Sequence, residues 1–116
     1  MEKILTIDGR RVKFKSTGAF LLKYKAQFKR DALKDLFRLQ NAIDIETHEL
    51  KDIESLDLEV FYNLVWTLAK TADSSVEPPE EWLDTFSEFP LMDIIPETMD
   101  MIFSCLTSSV PQLKKK

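Results

Sequence analysis

The segment "LEVFYNLVWTLAKTA", residues 58–72, constrains the fold more than any other stretch. Leu58, Phe61, Val65, Leu68 and Ala72 recur at helical spacing, and Leu64 and Ala69 widen the stripe. Val60 and Trp66 carry it past one side, so the helix has to be wrapped by other elements. Ser55 or Asp57 suits its N-cap, and "DSSVEPP" ends it. Asn63 interrupts "VFYNLVW", so no apolar run here reaches the length of a membrane span. A chain of 116 residues can supply the wrapping from a single domain, residues 1–116.

One partner is "ILTIDGRRVKFK". Leu5 and Ile7 alternate before Asp8-Gly9, and Val12 and Phe14 alternate after it. Asp-Gly favours a two-residue type I′ turn, because both positions need positive φ. Leu5 then pairs with Val12. Leu5, Ile7, Val12 and Phe14 share one face, and Thr6, Arg11, Lys13 and Lys15 the other. A lone hairpin is marginal in water, so that apolar face belongs on helices.

The remaining pattern is helical. Ser16 or Thr17 can cap a helix carrying Phe20, Tyr24 and Phe28, and Asp31 can cap "ALKDLFRLQNAI", where Leu33, Leu36, Phe37 and Leu39 or Gln40 trace a face. One bent helix or two both fit. Residues 44–57 are acidic and weakly periodic, which reads as a loop. In "EPPEEWLDTFSEFP", Pro78 or Pro79 fits a first helical turn, and Glu80 and Glu81 suit its dipole. Trp82, Leu83 and Phe86 form a narrow stripe that must anchor so short a helix. Pro90 opens the last helical region. Pro96 predicts a bend or a break in it, and Met99, Ile102, Phe103 and Leu106 carry its apolar face. The expected architecture is mainly α, about five helices in a small bundle, with a β-hairpin at 1–15, helices over 17–109 and a polar tail at 110–116.

The net charge of −4 hides an asymmetry. Residues 1–38 carry eleven Lys/Arg against four acids, whereas residues 39–113 carry two Lys against sixteen acids. A basic front could meet an anionic partner, but a dedicated nucleic-acid domain is usually basic overall. Attraction between the halves, within one fold or between copies, is the favoured reading. On the hairpin, a lysine-rich edge that discourages strand aggregation is favoured over phosphate binding, because no aromatic faces outward beside it.

Parts for catalysis are missing. His48 is the only histidine, in the acidic "DIETHE", and is expected in a solvated turn; Asp44, Glu46, His48 and Glu49 match no standard zinc spacing. Cys105 is the only cysteine and lies in an apolar helical pattern, so it is read as core and pairs in no internal disulfide, which suits a reducing cytosol. Phosphate-binding and dinucleotide motifs do not occur, and no catalytic residue, metal or cofactor is called for. "MEKILTIDGRR" meets a charge pair before any apolar stretch and is not expected to be a signal peptide.

In order, "LTIDGRRVKFKST", "FKRDALKDLFRL", "LDLEVFYNLVWTLAKTAD" and "PPEEWLDTFSEFPLMDIIPE" resemble the tail assembly chaperones of long-tailed phages and prophages of Gram-positive bacteria. Residues 60–73 and 82–90 are the most specific parts. The resemblance implies a small, mainly helical protein with an N-terminal hairpin and no enzymatic activity. It would act in the host bacterial cytoplasm during tail morphogenesis and be absent from the mature virion. It would bind the tape measure protein, keep it soluble, help tail-tube subunits polymerise around it, and self-associate. Trp82, Phe86, Met92, Ile95, Met99, Met101 and Phe103 are the candidates for receiving apolar helices of such a client, the alternative being that they fill the domain's own core. The rivals are a phage DNA-binding or regulatory adaptor using the basic front, and a structural tail or connector subunit. Relatives are often made in two lengths by a ribosomal frameshift, and "PQLKKK" fits that or a plain charged tail.

Overall fold

Asp8 and Gly9 adopt φ of 55° and 77°, the pair of positive values a type I′ turn requires. They join strands β1 (Glu2–Ile7) and β2 (Arg10–Lys15) in a two-stranded antiparallel sheet with Leu5 opposite Val12, as the alternation predicts. The computed structural model of the chain describes residues 1–39, 41–44 and 46–109, with side chains as far as Cys105. Ile7, Val12 and Phe14 are buried and Leu5 half-buried, while Thr6, Arg11 and Lys13 are exposed.

The chain then forms two helices, α1 (Phe20–Phe28) and α2 (Ala32–Leu39). Lys29 separates them in the left-handed conformation, φ 58°, with its N–H bonded to Lys25 O. Neither Ser16 nor Thr17 caps α1. The N-cap is Ala19, and the Thr17 hydroxyl instead accepts from the Ala19 N–H at 3.2 Å, serving the turn before the helix. Asp31 does cap α2, accepting from the Leu33 N–H at 2.9 Å. On α2 the buried face runs through Ala32, Asp35, Leu36 and Leu39, spacing that turns Phe37 outward to 52% exposure, contrary to the expected stripe. Gln40 lies outside the described residues.

The acidic segment is a loop with one bridge, Ile43 to Leu50, and a single 3₁₀ turn at Ile53–Ser55. Asp57 caps α3 (Leu58–Ala72), which is buried at Val60, Phe61 and every position from Leu64 to Ala69. Burial all round follows from its place: α3 packs against β2, α1, α2 and α4 (Pro79–Asp84). Leu58, at its uncovered N-terminal end, is 44% exposed and does not join the core as its spacing suggests. Buried Thr67 stays satisfied by donating to Asn63 O at 2.9 Å.

Helix α5 (Leu91–Ser109) runs through Pro96 as one element, so of the two forms expected, a bend or a break, it is not the break. Proline there removes only the bond to the carbonyl of Met92, an exposed residue where water can replace it. The side chain of Leu106 and the polar tail 110–116 lie outside the described residues. A radius of gyration of 13.3 Å is what one packed domain of this length has, about 13 Å.

Candidate functional site

The seven residues singled out for a client groove do not line one. Trp82, Phe86, Ile95, Met99 and Met101 are buried in the chain's own core, Trp82 at 2% exposure. Pro78 and Pro79 start α4, and Trp82 sits one turn in, where its ring meets Phe86 edge-on at 5.2 Å and Phe89 at 5.8 Å. Tyr62 of α3 closes on Phe89 at 5.7 Å, and the Arg10 guanidinium covers the Phe86 ring at 4.1 Å. An anchor so enclosed holds the proline-bracketed helix to this domain. On α5, Ile94, Ile95, Thr98, Met99, Met101 and Ile102 are all buried, so Met99 and Met101 fill the core.

Phe103 is half-buried because His48 lies on it, the two rings stacked at 5.2 Å and 23°. His48 is therefore no solvated turn residue. Its φ of 63° and the bond from its N–H to Asp44 O fold the acidic loop back, and Nδ1 comes to 3.7 Å from Asp100 Oδ1. Nothing local in "DIETHE" signals this contact, because its partners lie half the chain away.

Met92 alone of the seven is open, at 65% exposure. It edges a cleft of about 370 Å³ between β1 and the start of α5, lined also by Leu5, Pro90 and Pro96 and by the polar Thr6, Asp93 and Glu97. Other exposed apolar side chains are scattered: Leu22 on α1 at 75%, Ile53 in the 3₁₀ turn at 67%, Met1 and Ile4 on the hairpin, and Phe37 on α2 and Leu58 on α3, near the Arg38–Asp57 pair at 3.7 Å.

Polar contacts tie the hairpin to the C-terminal half. Lys3 Nζ donates to Glu97 Oε1 at 2.9 Å and to Asp100 Oδ2 at 3.0 Å. Burial alone would lower the Lys3 pKa, but these two carboxylates hold it raised. Asp8 accepts from the Ser87 N–H at 2.8 Å and from its hydroxyl at 2.9 Å, bonds that lower its pKa. Attraction between the halves is thus realised within the fold. A second cluster was not legible in the sequence: Tyr24 Oη donates to Asp35 Oδ2 at 2.6 Å, while Arg30 donates through Nε and Nη2 to both carboxylate oxygens at 2.7 and 2.8 Å. Burial pushes the Asp35 carboxyl up, and the Arg30 and Tyr24 bonds outweigh it, leaving the pKa lowered. Burial and the same bond push the Tyr24 hydroxyl up.

Among the described residues no group of three or more His, Cys, Asp or Glu is placed to hold a metal ion, and no buried side-chain polar atom lacks a hydrogen-bond partner. Cys105 donates to Thr17 O at 3.1 Å, and burial pushes its thiol up, the direction opposite to an activated nucleophile. No helix of the described residues is long and apolar enough to cross a membrane. What the fold defines is a small, mainly α bundle with an N-terminal hairpin. The chain matches no protein-family model, no curated protein and no solved structure at a significant level.

Proposed function

We propose that the protein is a non-enzymatic tail assembly chaperone of a long-tailed phage or prophage, which binds the tape measure protein and keeps it soluble while the tail tube assembles. The reading is carried by the resemblance of residues 60–73 and 82–90 to that family. It is supported by a fold of the kind the resemblance implies, a small helical bundle with an N-terminal hairpin. The client contact differs from a groove lined by Trp82, Met99 and Met101, since those side chains are enclosed. The open apolar positions include Met92 with its cleft, Leu22, Ile53, Phe37 and Leu58, places where the apolar stripe of a client helix can dock. Work in the host cytoplasm and absence from the virion belong to the same proposal.

Co-expression with the tape measure protein of the same phage tests it. The client should move from the pellet to the soluble fraction and co-purify with this chain. Insolubility that is unchanged by co-expression sinks the reading, and stoichiometric presence of the chain in purified virions would replace it with a structural tail subunit.

A further inference from the structure

The outer edge of β2 is an open strand edge whose chemistry selects its partner. In a hairpin closed by two residues, the pairs Ile7–Arg10, Leu5–Val12 and Lys3–Phe14 exchange backbone bonds, and Met1–Ser16 continues the series with bonds of 2.9 and 3.2 Å. Arg11, Lys13 and Lys15 therefore turn their N–H and C=O groups away from β1. The sheet has two strands, and among the described residues no backbone group bonds to those of Arg11 or Lys13. Their side chains are exposed, with no ion pair within 4 Å among the described residues. Beside the edge lies a cleft of about 410 Å³ lined by Arg10, Arg11 and Lys13 of the strand itself and, across from them, by Ala72, Asp73 and Val76, with buried Val12 and Trp82 at its floor.

We infer that this edge binds an extended segment of another protein, added as a third antiparallel strand, in which acidic residues alternate with apolar ones. A residue opposite Arg11 or Lys13 forms a hydrogen-bonded pair with it and shares its outward face, so glutamate there meets an exposed cation that has no ion pair within 4 Å among the described residues. The intervening residues point to the other face, toward the cleft, where the partly exposed Ala72 and Val76 can take apolar side chains. Asp73 occupies one wall and disfavours an acid on that inner face. The cations also keep two copies of β2 from pairing with each other, since like charges would stand opposite. The inference does not rest on the chaperone reading.

The probe is a soluble seven-residue peptide alternating glutamate with valine, compared with the same peptide carrying lysine for glutamate, with versions N-methylated on the glutamate amides or on the valine amides, and with a short duplex DNA. Binding should slow hydrogen exchange at the Arg11 and Lys13 amides. It should survive methylation of the valine amides and vanish on methylation of the glutamate amides. The double variant Arg11→Glu, Lys13→Glu should bind about tenfold more weakly or worse while melting as the parent does. Equal binding of the glutamate-methylated peptide or of the lysine peptide, no binding at millimolar peptide, or tighter occupation of the edge by DNA each overturns the proposal.

Discussion

Asp35→Asn isolates the one buried charge among the described residues. The carboxylate is 4% exposed as a side chain and accepts three hydrogen bonds, two from Arg30 and one from Tyr24. Hydrogen bonds to a charged group contribute about 1.5–3 kcal/mol each. The Arg30 side chain is 38% exposed, so water can replace much of its share, which must be discounted. Asparagine keeps one oxygen for Tyr24 but sets an amide donor against a guanidinium donor. The expected cost at neutral pH is about 2–4 kcal/mol, read from urea unfolding followed by tryptophan fluorescence. Because the folded pKa of Asp35 is lowered, its stabilisation is fully present above the unfolded value of about 3.9 and is lost as pH falls through the folded value. The gap between parent and variant should therefore narrow below about pH 4 as the parent's carboxylate is protonated. A Tyr24→Phe partner completes a double-mutant cycle, with a coupling of about 0.5–3 kcal/mol expected. A variant within about 0.5 kcal/mol of the parent at pH 7, or a gap that stays constant down to pH 2.5, refutes the argument.

Three further outcomes follow from the packing. Trp82→Ala should cost about 3–5 kcal/mol by thermal or urea unfolding, since the ring is enclosed by Phe86 and Phe89; an unchanged melt would mean that α4 is not held by its anchor. Asp57→Ala removes the cap of the central helix, whose side chain accepts from the Val60 N–H, and should cost about 1 kcal/mol in the same assay. Gly9→Ala should cost about 1–2 kcal/mol from backbone strain alone, because φ is 77° and a Cβ would meet nothing within 4 Å; a neutral result would show that the turn relaxes.

How far the fold can be read from the chain depends on how local its causes are. The hairpin is legible to its register, because period-two alternation and Asp8-Gly9 both act within a dozen residues. The caps at Asp31 and Asp57 and the proline start of α4 are legible for the same reason. Phe37 and Leu58 defeat the stripe reading because helical spacing says which side chains align, not which side a neighbour covers. Five of the client candidates, Trp82, Phe86, Ile95, Met99 and Met101, turn out buried for the same reason: an apolar stripe looks alike whether it awaits a partner or fills a core, and a chain this small uses most of its aromatics for itself. The Tyr24–Arg30–Asp35 cluster is invisible because its parts meet only after Lys29 reverses the chain, and the His48–Phe103 stack joins a loop to a helix 55 positions away in number.

The charge asymmetry shows how folding converts a global property into a local one. Lys3 is spent on Glu97 and Asp100, Arg38 on Asp57 and Arg30 on Asp35, while Arg10 lies on Phe86 and donates to Thr85. These contacts take cations from the front of the chain and set most of them against acids, three of the pairs reaching into the back half. What remains beside an unpaired backbone is the outer edge of β2, at Arg11 and Lys13. Charges more than about 10 Å apart are largely screened at ordinary salt, so the −4 total does not decide what that edge attracts. Its own two cations and its open amides do, which is why neutralising them should change partner choice while leaving the bundle intact.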